Sequence, residues 1–106
     1  MARAGLVVIT GASRRIGRAI AEKCASCAHA VIVTSRSAEG AAELVKYLQD
    51  QYKVQADIIV GDIGEESEAQ RVGKLLCEHK FTKEHGGIAG LVHNASVFEE
   101  ADFEDQ

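Results

Sequence analysis

The residues of this chain best suited to chemistry are Thr10-Gly11-Ala12-Ser13-Arg14-Arg15-Ile16-Gly17. Two glycines bracket the stretch. Gly11 lets a chain turn sharply without a Cβ, and Gly17 lets a following helix lie close against a sheet. A strand-to-helix turn of this kind aims backbone N–H groups and the positive end of a helix dipole at one point, which suits a pyrophosphate. Spacing alone leaves an ordinary strand–helix turn open, because Arg15 occupies the place where a dinucleotide-binding turn often has its middle glycine. A second group, Ser35-Arg36-Ser37, sets a guanidinium between two hydroxyls. That set would hold a phosphate through charge-assisted hydrogen bonds, where a carboxylate would repel it. Arg14 could reach the same phosphate. The plain alternatives are a solvated loop charge at Arg36 and a helix-starting basic residue at Arg14.

These residues need elements to carry them. Leu6-Val7-Val8-Ile9 is a short apolar run that predicts a buried strand. Ile16, Ala19, Ile20, Ala21 and Cys24 recur at helical spacing, predicting a helix over 14–26. A second strand is expected over 30–34, with Ser35-Arg36-Ser37 as the turn after it. A second helix is expected over 38–52, with Ala41, Leu44, Val45 and Leu48 as its buried stripe. Residues 54–60 read as a third strand, ending at Gly61-Asp62-Ile63-Gly64. A third helix is expected to start near Glu65 and Glu66, whose charges suit an N-terminus. Its core face would be Val72, Leu75 and Leu76. It is expected to end near Lys80, before a polar loop over 82–87, and residues 88–92 read as a fourth strand. The order β-α-β-α-β-α-β predicts an α/β fold: a doubly wound parallel sheet with right-handed crossovers, helices on both faces and strand order 3-2-1-4. The crevice at the switch between strands 1 and 4 would then receive both the glycine turn and the residues after strand 4.

The glycine turn resembles the nucleotide-binding turn of the short-chain dehydrogenase/reductase family, whose common form is Thr-Gly, three residues, Gly, one residue, Gly. His93-Asn94-Ala95-Ser96 resembles that family's Asn-Asn-Ala-Gly motif after the fourth strand. Arg15 in the middle-glycine slot and Ser96 in the last motif position are similar to the pteridine reductase branch, which includes the dihydromonapterin reductases. The resemblance implies a Rossmann-like fold and a nicotinamide cofactor. Since Ser35-Arg36-Ser37 replaces the acid that would bind the ribose hydroxyls of NAD, it points to NADP(H). It implies cofactor contacts from Gly11, Ser13, Arg14, Arg15, Ile16, Gly17, Ser35, Arg36, Ser37, Asp62, Ile63, Asn94, Ala95 and Ser96. Asp62 and Ile63 would border the adenine, with a helix-capping Asp as the alternative. Asn94 and Ala95 would line the adenosine ribose and brace the strand, a turn-forming Asn being the alternative. Arg15, Ser96 and Phe98 would face a pterin-type substrate, Phe98 by stacking, although a Phe beyond a strand is also often simply packed. The resemblance also implies a homo-oligomer at full length.

The match covers nearly all 106 residues but only the first half of the family. The family's catalytic Tyr and Lys, four residues apart, and its Ser lie beyond strand 4. The only tyrosines here are Tyr47 and Tyr52, and neither is followed four residues later by Lys. No catalytic residue is therefore expected in this stretch. It is expected to be a single NADP(H)-binding half-domain over 1–106, with strand 4 lacking its outer neighbour.

Composition agrees. Apolar residues make up 46% of the chain, enough for a packed core, though a domain this small buries only roughly 60–70% of its unfolded surface. Residues 1–36 hold six Lys/Arg and one acid, Glu22, net +5; residues 37–106 hold six Lys/Arg and fifteen acids, net −9, giving the overall −4. The positive end coincides with the glycine turn, which argues for a small anionic ligand rather than the broad basic face of a nucleic-acid binder. No apolar run is long enough for a membrane span, and the run from Leu6 to Ile9 is too short for a signal-peptide core. The chain reads as cytoplasmic. Three cysteines, Cys24, Cys27 and Cys77, form no disulfide framework. Cys24-Ala25-Ser26-Cys27 has C-x-x-C spacing but falls at a helix end, where the dipole does not favour a thiolate, so buried or half-buried helix cysteines are expected. His29, His79, His85 and His93 show no metal-like grouping. Two readings follow: the cofactor-binding part of an NADP(H)-dependent reductase of small carbonyl or pterin-type substrates, or a non-catalytic Rossmann-type module that binds a nucleotide or a partner chain.

Overall fold

A computed structural model describes residues 5–11, 15–62 and 64–93, with the side chains of Arg15, Ile16 and His93 outside that description. The elements run β1 (Leu6–Thr10), α1 (Arg15–Ser26), β2 (Ala30–Ser35), α2 (Ala38–Tyr52), β3 (Ala56–Val60), α3 (Glu66–Glu78), α4 (Lys80–Glu84) and β4 (Gly90–His93). The four strands form one sheet of order β3-β2-β1-β4. All three pairings are parallel, with Thr10 level with Thr34 on one side and His93 on the other. This is the partial Rossmann-like topology that the strand–helix alternation predicts.

β1 and β2 are buried along their whole length, as expected for strands covered on both faces. Alternation then sorts their side chains into two cores. Val7, Ile9, Val31 and Val33 join Ala21, Ala25, Ala41, Leu44, Val45 and Leu48 on the α1/α2 side. Leu6, Val8, Ala30 and Ile32 join Ile59, Val72 and Phe81 on the α3/α4 side. The α2 stripe is buried as its spacing predicts. The helix stops at Lys53, a left-handed C-cap with φ 58° whose N–H donates to Gln49 C=O.

Several expectations need correction. β2 extends through Ser35, β3 begins at Ala56 instead of residue 54, and β4 occupies Gly90–His93. Of the proposed core face of α3, only Val72 is buried; Leu75 is 40% exposed and Leu76 half-buried. α3 stops at Glu78, and the expected polar loop opens as the short helix α4. Its cause is local capping. Apolar periodicity cannot register in five residues, but His79 Nδ1 accepts from Phe81 N–H at 3.0 Å, Thr82 Oγ1 donates to Leu76 C=O at 2.6 Å, and Phe81 is buried. Cys24 is half-buried, whereas Cys27 and Cys77 are exposed: Cys27 falls beyond the last turn of α1, and Cys77 lies on the outer face of α3. Among the described residues, no helix is long and apolar enough to cross a membrane.

Candidate functional site

In a parallel sheet all strands end on one edge. That edge here carries Gly11 after β1, Ser35-Arg36-Ser37 at and after β2, Gly61-Asp62 after β3 and His93 at the end of β4. Neighbouring strands lie about 4.8 Å apart, so these groups form one row. Hydrogen bonds fix its levels. Gly11 N–H donates to Thr34 C=O at 2.9 Å and Gly61 N–H to Ser35 C=O at 2.8 Å. Thr10 Oγ1 reaches Val92 C=O at 3.4 Å, tying β1 to β4.

Gly11 has φ 71°, a left-handed value that a Cβ would strain. That conformation turns the chain off β1 toward α1. Gly17 is buried in α1. The first turn of α1 contains no acid and opens with Arg15, the reverse of what the helix dipole prefers. A helix start offers N–H groups that have no intrahelical partner, and a first turn without an acid suits an anion. Gly11 N–H itself is spent on Thr34 C=O.

At the end of β2, Ser35 is 9% exposed and its Oγ accepts from Ser37 N–H at 3.2 Å. Ser37 is the N-cap of α2 but makes no side-chain capping bond. Arg36 is exposed and, among the described residues, joins no ion pair. Arg36 thus follows β2 at the carboxyl edge as an exposed cation flanked in sequence by two serines.

Asp62 is half-buried and partly committed to the turn before α3. Its Oδ1 accepts from Gly64 N–H at 3.0 Å, and its carbonyl accepts from Glu65 N–H at 3.0 Å. The turn-forming role is thus present. Behind it, Glu68 Oε1 accepts from Asp62 N–H at 3.4 Å and from Arg71 Nη2 at 2.9 Å, while Arg71 Nη2 also donates to Val60 C=O at 2.7 Å. The hydrogen bond from Arg71 holds the Glu68 carboxyl below its ordinary value against opposing burial, with help from Asp62 N–H; Glu68 pushes Arg71 upward in turn. The site reading missed this clamp, although Glu68 and Arg71 stand at i,i+3 spacing in the sequence.

The described residues thus bring Gly11, Ser35, Arg36, Ser37 and Asp62 onto one edge, with Gly17 on the helix leaving it. The side chains of Arg15 and Ile16 are not described. Ser13, Arg14, Ile63, Asn94, Ala95, Ser96 and Phe98 lie outside the described residues. Tyr52 ends α2 at the opposite, amino edge, where burial first and Tyr47 second push its phenol upward. Tyr47 lies edge-on to it, with Arg18 5.6 Å from its ring centre. Among the described residues, no three His, Cys, Asp or Glu side chains are grouped to hold a metal ion.

The family model for short chain dehydrogenases matches residues 5–106. The chain is 41% identical over 91 residues to the human inactive hydroxysteroid dehydrogenase-like protein 1, covering 86% of this chain and 26% of that protein. Among solved structures it resembles a bulky-bulky ketone specific alcohol dehydrogenase from Comamonas testosteroni (TM-score 0.69, 28% identity, 82% of this chain and 32% of that one). It also resembles a short-chain dehydrogenase from Sphingobium yanoikuyae in complex with NADPH (TM-score 0.66, 27% identity, 73% of this chain and 30% of that one). The chain therefore spans about a quarter to a third of the length of these relatives.

Proposed function

The chain belongs to the short-chain dehydrogenase family, and we propose that it is the NADP(H)-binding half-domain of a reductase acting on a small carbonyl substrate. The observation that carries the reading is Arg36, exposed between Ser35 and Ser37 at the carboxyl edge, one strand from the Gly11 turn, with no carboxylate in that group. Its charge suits the 2′-phosphate that distinguishes NADP from NAD. The NADPH complex of the Sphingobium relative supports the same cofactor. The turn from Gly11 through Ser13, Arg14, Arg15 and Ile16 to Gly17 would take the pyrophosphate. Asp62 and Ile63 would border the adenine, and Asn94, Ala95 and Ser96 the ribose and the strand end. Bound there, the nicotinamide supplies the hydride. This chain's residues hold and orient it, while the proton donor would come from the half of the fold that these 106 residues do not contain.

A pterin-type substrate would rest on Arg15, Ser96 and Phe98. The ketone specificity of the Comamonas relative supports the broader carbonyl class instead. A cytoplasmic, homo-oligomeric full-length protein belongs to the same proposal. The second reading, a non-catalytic nucleotide-binding module, is favoured by the 41% identity to a relative named as inactive.

Calorimetric titration of parent and Arg36→Asp with NADPH and NADH tests the cofactor assignment. Losing a charge-assisted contact costs on the order of 1.5–3 kcal/mol, roughly ten- to a hundredfold in affinity for NADPH, with NADH unweakened. Equal NADPH affinity in both proteins refutes the assignment. NADPH oxidation with ketone substrates by the longest natural chain then separates the readings: turnover supports the reductase, and binding without turnover supports the module.

A further inference from the structure

Among the described residues β3 is one of the two outer strands of the sheet, with β2 on its inner side. Gln55 C=O accepts from Val31 N–H, and Gly61 N–H donates to Ser35 C=O. Odd-numbered residues therefore turn their backbone groups toward β2, and Ala56, Ile58 and Val60 turn theirs outward. An outer row of N–H and C=O groups along the apolar run Ile58-Ile59-Val60 is a template for a further strand. Here each outward residue has one group taken by a side chain. Gln49 Nε2, from α2, donates to Ala56 C=O at 2.9 Å. The Asp57 carboxylate folds forward to accept Ile58 N–H at 2.8 Å. Arg71 Nη2, from α3, donates to Val60 C=O at 2.7 Å.

The two charged caps are themselves held. Asp57 Oδ2 lies 2.7 Å from His79 Nε2. His79 Nδ1 accepts from Phe81 N–H, so Nε2 is the nitrogen that carries the proton and donates. Arg71 is gripped by both oxygens of Glu68, at 2.9 and 3.1 Å.

We propose that Gln49, Asp57 and Arg71 form a guard that closes β3 to strand addition by a second copy of this chain. The excluded partner follows from the strand itself. Ile58-Ile59-Val60 is apolar and β-branched, and Val60 is 39% exposed, so the run is complementary to its own copy. An incoming strand needs the outward groups that the guard occupies. To take them it must break three hydrogen bonds and pull Asp57 from His79 and Arg71 from Glu68. His79 is a positioning residue in this device, aiming Asp57 at Ile58 N–H.

The test compares the parent with the triple variant Gln49→Ala/Asp57→Ala/Arg71→Ala. Sedimentation reads association, and hydrogen exchange locates it. The expected result is concentration-dependent dimers or larger species of the variant, with amides of 56–60 exchanging about tenfold more slowly in the associated state than in the monomer. Restoring two caps as Asp57→Asn and Arg71→Lys, with Gln49 kept, is expected to return the parent's behaviour. Association no greater than the parent's, or association that protects 90–93 but not 56–60, overturns the proposal. Should the triple variant lose its far-UV spectrum, Arg71→Ala alone carries the same test, because Arg71 is a surface side chain. Unchanged association and exchange in that single variant would equally overturn the guard.

Discussion

Gly61 and Gly73 lie on either side of the α3 packing surface, and adding a methyl group to each is expected to act with opposite sign. At Gly61 an added Cβ would sit 2.6 Å from Val72 Cγ2 and 2.8 Å from Arg71 Nη2. The guanidinium is the end of a flexible side chain and can move aside. Val72 cannot, since it is 3% exposed and packed among Leu6, Val8, Ile32 and Ile59. Gly61→Ala must therefore push α3 off the sheet or force Val72 off its rotamer, an overpacking cost of about 1–3 kcal/mol. The stiffer unfolded chain offsets about 0.4–1 kcal/mol of this, leaving a net loss centred on about 1.3 kcal/mol and at most about 2.6 kcal/mol. Gly73 is inside α3, and a Cβ there meets nothing within 4 Å. Gly73→Ala gains helix propensity and stabilises by about 0.5–1 kcal/mol. For a domain of this size 1 kcal/mol moves the unfolding midpoint by about 4–8 °C, so thermal unfolding followed by circular dichroism resolves both changes. If Gly61→Ala unfolds at or above the parent's temperature, the close approach of α3 to the end of β3 is not what the glycine serves.

Further outcomes follow from the same packing and charges. Glu68 is held below its ordinary value of 4.5, so its contribution is present above that value and is lost as pH falls through the depressed one. Carboxyl NMR should give a Glu68 midpoint below 4.5 that rises in Arg71→Ala, and an unchanged midpoint would refute the clamp. Leu44→Ala removes a fully buried side chain between α2 and the sheet and is expected to cost about 2–5 kcal/mol in denaturant unfolding; a loss below 1 kcal/mol would place Leu44 outside the core.

What the sequence made legible follows from which signals are periodic. The fully buried runs at Leu6–Thr10 and Ala30–Ser35 are short and β-branched, so their pairing as inner parallel strands could be read directly. The fifteen residues of α2 carry enough turns for Ala41, Leu44, Val45 and Leu48 to declare a face. Leu75 failed the same reasoning because consecutive helical residues point about 100° apart: with Val72 buried and Leu76 half-buried toward the core, Leu75 is left 40% exposed beside β3. α4 was illegible because one histidine ring nitrogen, not a pattern, starts it. For the site, Gly11, Ser35, Arg36 and Asp62 could be placed because topology puts every strand end on one edge. For Asp62 the sequence left the capping and the ligand-facing roles side by side, since the two look alike there, and only the structure shows Oδ1 committed to Gly64.

The clamp of Glu68 and Arg71 joins two features that the chain order separates. Glu68 supports Asp62 N–H on the carboxyl edge, and Arg71 caps Val60 C=O on the outer strand. Both depend on α3 lying close enough for the two side chains to reach, which Gly61 permits by having no Cβ. The 3.4 Å bond to Asp62 is long and the 2.7 Å bond to Val60 short, so the clamp is anchored on the strand and leans on the turn. Loss of Arg71 therefore exposes the strand edge directly and disturbs Asp62 only through Glu68. Loss of Glu68 does the reverse, leaving Arg71 free to keep its bond to Val60 while Asp62 N–H loses its partner. The two variants consequently separate an effect on the edge from an effect on the candidate adenine side of the site.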